Sequence, residues 1–157
     1  MMGTTLPLRE FTAAKGVLLH NGKVLFLRES GSYVDGSQPG KYDIPGGRLN
    51  AGEGWIDGIK REVFEETGLT VDTAVPFFTG EWRVMRSTEE WHIRAVFFAI
   101  PTDVDRVTLS IDHDHYMWVD PRDAAAQIPI LPGYDAMLTA LQARCPALFQ
   151  HNQKVAA

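Results

Sequence analysis

The apolar residues of this chain follow two spacings, an alternation typical of strands and a three-to-four-residue repeat typical of helices. Strands are predicted at 12–20 and 23–29, and Asn21-Gly22 between them predicts a tight hairpin because both turn positions favour positive φ. The polar, glycine-containing segment 30–40 is typical of a long surface loop. Further extended segments are predicted at 42–44, 69–86, 91–100 and 115–119.

Helical periodicity occurs in three parts of the chain. The first predicted helix spans 55–67 and ends at Gly68, since glycine readily takes the left-handed conformation that follows a helix. Asp120-Pro121 predicts a short second helix, with the aspartate as N-cap and the proline at the first helical position. A third helix is predicted at 134–144. Several strands, a central helix and a helical tail indicate an α+β domain.

Size and charge narrow the class of protein. The chain has 157 residues, 45% of them hydrophobic, which predicts a single domain over 1–157 with its core at about 12–144. The formal net charge of −5 argues against extended nucleic-acid binding but allows a small nucleotide whose charge a metal ion would balance. The lone cysteine, Cys145, excludes an internal disulfide. The sequence shows no signal peptide and no membrane-length apolar run, so we expect no membrane association and a cytoplasmic location.

Three glutamates occupy one face of the first predicted helix. Glu62, Glu65 and Glu66 are spaced i, i+3 and i+4, and such like charges destabilise a helix unless water solvates them or a cation lies among them. Oxygen ligands without a nearby Cys or His cluster favour Mg²⁺ or Mn²⁺ over zinc. On their own, the glutamates are equally compatible with a solvated helix face. A neighbouring stripe predicted to face the core consists of Ile56, Ile59, Val63 and Thr67.

The residues around this helix favour a binding site over a merely solvated surface. Gly46-Gly47 and Gly52 flank a tight loop in which the backbone can approach a ligand closely. Glu53 lies at the start of the helix, and Arg61 is placed to neutralise and orient the neighbouring carboxylates.

The segment 47–69 resembles the Nudix box, a pattern of two glycines, paired glutamates, an Arg-Glu pair and aliphatic residues at fixed spacing. Every fixed position is present, namely Gly47, Glu53, Arg61, Glu62, Val63, Glu65, Glu66, Gly68 and Leu69. The lead-in Ile44-Pro45-Gly46 and, more weakly, Asp112-His113 followed by Trp118 also resemble family patterns. The resemblance covers roughly 12–141.

This resemblance implies an α/β/α sandwich around a mixed β-sheet, with the box as a loop-helix-loop. It implies a site for one or more Mg²⁺ ions, with Mn²⁺ as an alternative. The ligands would be the carbonyl of Gly47 and the side chains of Glu62, Glu65 and Glu66. The catalytic group would consist of Glu53, Arg61, Glu62 and Glu66. Within it, Glu53 would assist through metal-coordinated water or a second metal, and Arg61 would orient the glutamates without touching substrate.

Polar residues outside the box are weaker candidates for substrate contacts. Arg28 lies at a strand end, either within reach of a phosphate or as an ordinary surface arginine. Glu89 and Glu90 lie in a predicted turn, where similar enzymes sometimes carry the catalytic base, although a solvated turn is the simpler interpretation. Asp112 and His113 belong to an acid-histidine cluster that is predicted to be a loop with one member near the active site. The aromatic residues that either stack on a base or belong to the core are Tyr42, Trp82 and Trp91.

Two classes of function follow from the resemblance. One is an active pyrophosphohydrolase, and the other is a binding or regulatory module that has lost catalysis. A module would be free to lose the box glutamates, and this chain retains them, which favours the enzyme. The short chain suits an ordinary or oxidised nucleoside triphosphate, with a nucleotide sugar or ADP-ribose as alternatives. We expect a small nucleotide as the partner and a monomer or homodimer as the assembly.

Overall fold

The computed structural model describes residues 5–153. The strands within this range are β1 (Leu8–His20), β2 (Lys23–Glu29), β3 (Tyr42–Asp43), β4 (Gly46–Arg48), β5 (Val75–Met85), β6 (Glu90–Pro101) and β7 (His113–Val119). The helices are α1 (Trp55–Thr67), α2 (Ala124–Gln127) and α3 (Tyr134–Arg144), followed by a 3-10 helix at Pro146–Gln153. None of the helices in the described range is long and apolar enough to cross a membrane.

The central strand of the sheet is β1, and it is shared between several partners. The strand order is β3-β2-β1-β6-β5, with β4 added on β1 and β7 added on β2. The pairing of β1 with β6 is parallel along its whole length, and the other pairings are antiparallel. On its other edge, β1 pairs with β4 at Ala13 to Lys15 and with β2 only at Leu19 and His20. The sheet is therefore mixed. On this edge the partner of β1 changes from β4 to β2 in the part of the strand that follows Lys15 and Gly16.

Helices cover both faces of this sheet. Ile59 and Val63 of α1 are fully buried in the core on one face. Met137, Leu138 and Leu141 of α3 are buried in the core on the opposite face. The predicted α/β/α sandwich around a mixed sheet is thereby confirmed.

A glycine of β1 sets how closely α1 approaches the sheet. A Cβ at Gly16 would lie only 3.0 to 3.1 Å from the methyl groups of Ile100, Ile59 and Val63. Because no larger side chain fits there without displacing these methyl groups, α1 packs directly on the β1 backbone. The box helix is consequently held at a fixed distance from β4, which pairs with the same strand.

The local predictions of secondary structure are confirmed where sequence neighbours determine the structure. Asn21 and Gly22 form the predicted hairpin turn with φ angles of 48° and 74°. The predicted bounds of α1 and α3 match the observed ones, and α1 ends at Gly68 with a φ of 72°.

Several predicted boundaries are wrong because distant contacts decide them. The strand β1 starts at Leu8 instead of residue 12, because β6 supplies hydrogen-bond partners to its exposed first residues. The strand β5 starts at Val75 instead of residue 69, because Leu69 and Val71 are buried under α1 as loop residues. The short strand β4 was not predicted, and it forms because β1 offers it backbone partners.

Two predicted side-chain roles in the helices are also wrong. Asp120 is not a helix N-cap, because its carboxylate accepts hydrogen bonds from the backbone and side chain of Arg122 in a turn, and α2 begins only after Asp123. Ile56 does not face the core and is 42% exposed, because the buried face of α1 consists of Gly58, Ile59, Val63 and Thr67.

Gly58 is a residue of low helix propensity inside α1, and the packing around it explains its presence. A Cβ at this position would lie 2.1 Å from Cδ2 of Leu49 and 3.2 Å from Oε2 of Glu53. The glycine therefore makes room for the loop that carries Leu49 back across the helix. The helix loses up to about 1 kcal/mol of intrinsic stability relative to alanine in exchange for this close contact.

We expect Gly58→Ala to give no gain in thermal stability, because the Leu49 side chain must move away from the added methyl group. In a Leu49→Ala background the same substitution should raise the free energy of unfolding by up to about 1 kcal/mol, the propensity difference between glycine and alanine. Chemical denaturation of the four proteins in this double-mutant cycle measures the coupling. A stabilisation of the same size in both backgrounds would contradict the contact.

Candidate active site

The box residues line a cavity of about 470 Å³ beside the edge of the sheet. Its walls are β4 and the loop after it, the second half of α1, and residues from the loops that precede β3 and β7. The predicted site residues that line it are Gly47, Arg61, Glu62, Glu65, Glu66 and Asp112. The structure thus brings most of the box side chains to one concave surface.

Arg61 connects the glutamates of the box. Its Nε and one terminal nitrogen donate to the two carboxylate oxygens of Glu53 at 2.7 and 2.9 Å. Its other terminal nitrogen donates to Glu62 at 2.8 Å and to Glu65 at 3.1 Å. These hydrogen bonds lower the pKa of Glu53 to about 2 and raise that of Arg61. Arg61 therefore holds three carboxylates in place, as the sequence resemblance led us to expect of its position.

The inner two glutamates are withdrawn from water. The side chain of Glu62 is 13% exposed, and its burial raises the pKa of the carboxyl. Glu66 accepts a hydrogen bond at 2.8 Å from the backbone nitrogen of Gly46. Burial raises the pKa of Glu66 to about 8, against a lowering influence from the nearby Lys15 ammonium. These two carboxylates hold negative charge only with help from neighbouring positive groups.

Two consecutive glycines allow the backbone to approach these carboxylates. Gly46 has a φ of 137°, and a Cβ there would lie 2.2 Å from the carbonyl oxygen of Ala14. A Cβ at Gly47 would lie 2.8 Å from the carboxyl carbon of Glu62. Any larger residue at either position would displace β4 or Glu62, so both glycines are needed. We call Gly46-Gly47, where the chain bends into β4, the glycine turn.

The donor set fits a hard divalent cation in its chemistry. Carboxylate oxygens of Glu62, Glu65 and Glu66 line the same cavity as the backbone of Gly47, and oxygen ligands are those that Mg²⁺ prefers. Among residues 5–153, however, no group of three or more acidic, His or Cys side chains converges closely enough to hold a metal as arranged. The reason is that Arg61 and the Gly46 amide engage these carboxylates individually.

The structure places the weaker candidates Arg28, Glu89 and Glu90 away from the cavity. Arg28 donates to Asp114 at 2.6 Å on the outer side of β2. Glu89 accepts from the indole of Trp91 at 2.5 Å and lies 3.5 Å from Arg9. Glu90 is the first residue of β6 and accepts from Arg83. All three form local ion pairs, and none of them lines the cavity.

The acid-histidine segment is divided between a turn and a strand. Asp112 lies in the turn and lines the cavity, in line with the prediction of one member near the site. His113 begins β7, so the prediction of a loop is wrong there, because β2 pairs with this segment. Burial lowers the pKa of His113, and its Nδ1 lies 3.4 Å from the Ser110 hydroxyl.

A stack of aromatic rings and guanidinium groups borders the cavity, and sequence reasoning missed most of it. The Cζ of Arg48 lies 4.8 Å from the ring centroids of both Phe11 and Trp91. The Cζ of Arg86 lies 4.3 Å from the Trp91 ring, and that of Arg9 lies 5.0 Å from Phe11. Trp91 was predicted to stack on a base or to belong to the core, and it packs against the core on the α3 side while two arginines lie over its ring. We call these five residues the arginine–aromatic stack. No local sequence signal pairs Phe11 with Arg48, because they meet only through strand pairing.

The other two aromatic candidates belong to the interior. Tyr42 is 6% exposed, and its hydroxyl lies 2.9 Å from Nδ1 of His115. Trp82 packs against the core on the α3 side. Neither lines the cavity, so the alternative of core packing holds for both.

The glutamates, their arginine and the glycine turn, set on one edge of an α/β/α sandwich, define an enzyme that hydrolyses phosphoanhydride bonds. The sequence profile of the NUDIX domain matches residues 10–141. The chain belongs to the Nudix family, and its class of activity is that of a pyrophosphohydrolase.

Individual relatives agree with this assignment. A MutT-like protein of Streptomyces ambofaciens is 28% identical over 152 residues, which cover 96% of this chain and 89% of the relative. The crystal structure of a MutT protein from Methanosarcina mazei Go1 superimposes with a TM-score of 0.71 at 25% identity and covers 89% of this chain and 98% of that one. The NUDIX domain of Shewanella oneidensis NrtR, crystallised with ADP ribose, has the same fold with a TM-score of 0.68 at 16% identity, covering 87% and 88% of the two chains.

The raised pKa of Glu66 makes the stability of the metal-free protein depend on pH. The folded protein keeps a proton up to a pH of about 8, whereas an ordinary glutamate releases it at about 4.5. The resulting stabilisation is complete below the lower value and is lost as the pH rises through the upper one.

We therefore expect the free energy of unfolding to fall between these two pH values in the presence of a chelator. Urea denaturation at a series of pH values measures this slope, and Glu66→Gln should flatten it. The matched control is Asp57→Asn on the exposed first turn of the same helix, which should leave the slope unchanged. Identical slopes for wild type and Glu66→Gln would show that Glu66 ionises normally.

Proposed function

We propose that this protein is a Mg²⁺-dependent hydrolase that cleaves a phosphoanhydride bond in a nucleoside diphosphate linked to another group. Mn²⁺ would be the alternative cofactor. The observation that carries the proposal is the organisation of the box. Glu53, Glu62 and Glu65 accept hydrogen bonds from one arginine, and Glu66 accepts one from the backbone of Gly46. Of these glutamates, Glu62, Glu65 and Glu66 line a single cavity. Such a concentration of carboxylates is suited to gathering divalent cations around a diphosphate.

Some residues of the box would bind the cation, and others would position the side chains that bind it. The groups that would hold it are the Gly47 carbonyl and the carboxylates of Glu62, Glu65 and Glu66. When bound, the cation would neutralise charge on the diphosphate oxygens and lower the pKa of water. Arg61 would remain behind the carboxylates as a positioning residue, because its donors point at Glu53 and at the carbonyl of Arg48. Glu53, just before α1, would assist through metal-coordinated water or a second metal.

The arginine–aromatic stack favours a nucleoside triphosphate over a nucleotide sugar. It combines three guanidinium groups with two rings at the border of the cavity, whereas its partners Asp35 and Glu89 supply two negative charges. A triphosphate carries charge beyond the scissile diphosphate that such a surface can attract. A nucleotide sugar has a neutral sugar in that place, and since both substrates carry a base, the extra charge is what separates them. The NrtR domain was crystallised with ADP ribose, which keeps an ADP-ribose or nucleotide-sugar substrate as the alternative.

A catalytically inactive binding module is the rival from another class. A protein that only binds nucleotides has no need for a buried, raised-pKa glutamate next to a glycine turn, or for four ordered acidic side chains. Turnover separates the two directly. A small nucleotide partner, a monomeric or homodimeric state and a cytoplasmic location remain predictions of this proposal.

The proposal is tested by measuring hydrolysis of nucleoside triphosphates, nucleotide sugars and dinucleoside polyphosphates with and without Mg²⁺. We expect metal-dependent turnover with a triphosphate as the best substrate. Glu62→Gln and Glu66→Gln should each lower it by roughly 10² or more, the usual size of losing a charge-stabilising group.

The matched control on the same helix is Asp57→Asn, which should keep wild-type turnover. Metal-free stability should hold or rise in the two glutamine variants, since repulsion between like charges is relieved. Folded variants with near-wild-type turnover would make the helix a merely solvated face, and binding without any turnover would favour the module.

A further inference from the structure

An ion pair with a buried lysine lies next to β4, the strand whose residues line the cavity with the box glutamates. Lys15 of β1 is only 5% exposed, and its Nζ donates to Oδ2 of Asp43 at 2.9 Å. The other oxygen of Asp43 accepts from the backbone nitrogen of Ile44 at 2.7 Å and from the hydroxyl of the buried Tyr134. The Asp43 side chain is 28% exposed, so the lysine is the charge that is removed from water. Removing that ammonium is costly, which makes the pair weak support for a purely stabilising role.

The register of the sheet places this pair next to a box carboxylate. Lys15 is the direct partner of Gly46 in the pairing of β1 with β4. The backbone nitrogen of Gly46 in turn donates to Glu66 at 2.8 Å. A single residue of β4 therefore separates the buried ammonium from the innermost glutamate.

The two charges of the pair act on the glutamates in opposite directions. The ammonium of Lys15 attracts the negative charge of Glu66 and Glu62. The carboxylate of Asp43 repels that of Glu66. Because the interior screens charges weakly, both influences extend across the strand.

We propose that Lys15 is a positioning residue whose buried ammonium, held by Asp43 and Tyr134, stands beside Glu62 and Glu66 as a resident cation and limits their affinity for divalent ions. Without a divalent ion, it is a positive charge close to Glu66, to which Arg61 donates no hydrogen bond in the described structure. With a divalent ion, it repels a second positive charge nearby. This inference rests on the proposed function, since it assumes that the box glutamates bind a divalent cation.

The test compares Lys15→Met with Asp43→Asn and uses Mg²⁺ or Mn²⁺ alone as the probe. The affinity is obtained from the rise of the unfolding temperature with metal concentration. We expect Lys15→Met to tighten divalent binding and Asp43→Asn to weaken it, each on the order of tenfold. The double variant should return close to the wild-type affinity because the net charge is restored. Lys15→Gln keeps a donor for Asp43 and replaces Lys15→Met if that variant does not fold.

A purely structural pair predicts a different result. Tyr134→Phe removes a hydrogen bond to Asp43 and leaves both charges in place, so it should lower the unfolding temperature without changing divalent affinity. If both charge variants shift the affinity in one direction, or leave it unchanged like Tyr134→Phe, the proposal is overturned. If wild-type protein itself shows no stabilisation by either metal, the metal site of the proposed function fails instead.

Discussion

Repulsion among the carboxylates on one face of α1 is the constraint around which this protein is built. Four acidic side chains of the box lie close together, and two of them are largely withdrawn from water. Arg61 offsets most of that repulsion by donating hydrogen bonds to Glu53, Glu62 and Glu65. The backbone nitrogen of Gly46 donates to the remaining glutamate, Glu66. The metal-free protein thus keeps its glutamates ordered by internal donors, at positions where a divalent cation would take over part of the same role.

The fold maintains this arrangement through backbone contacts with one strand. The centre of β1 pairs with β4, which carries the glycine turn, and the absence of a side chain at Gly16 allows α1 to rest on the same strand. Both halves of the site are therefore fixed to β1 and keep their spacing. Gly46 and Gly47 allow the chain to pass between β1 and the glutamates, and Gly58 leaves room for the side chain of Leu49. The small residues are placed at the contacts between elements, and the charged ones face the cavity.

The sequence predicts those parts of the site whose determinants are local. The box glutamates and Arg61 lie within one helix and its approach, so their spacing alone indicates a shared face. The hairpin turn at Asn21 and the end of α1 at Gly68 could likewise be predicted from the residues that form them. The pair of Lys15 with Asp43 and the contact of Arg48 with Phe11 were not, because they depend on the register of strands that pair far apart in sequence. An isolated lysine in an apolar strand gives no signal of its partner until the sheet is known.

The central claim is that the box directs water to an internal phosphorus of a nucleotide, and isotope labelling tests it most directly. Hydrolysis of a nucleoside triphosphate with Mg²⁺ in ¹⁸O-labelled water, followed by mass spectrometry of the products, reports which bond breaks. The account predicts nucleoside monophosphate and pyrophosphate, no free orthophosphate, and the label on a phosphate oxygen. Release of orthophosphate from the terminal position would contradict it, as would label at the anomeric carbon of the sugar phosphate when a nucleotide sugar is the substrate.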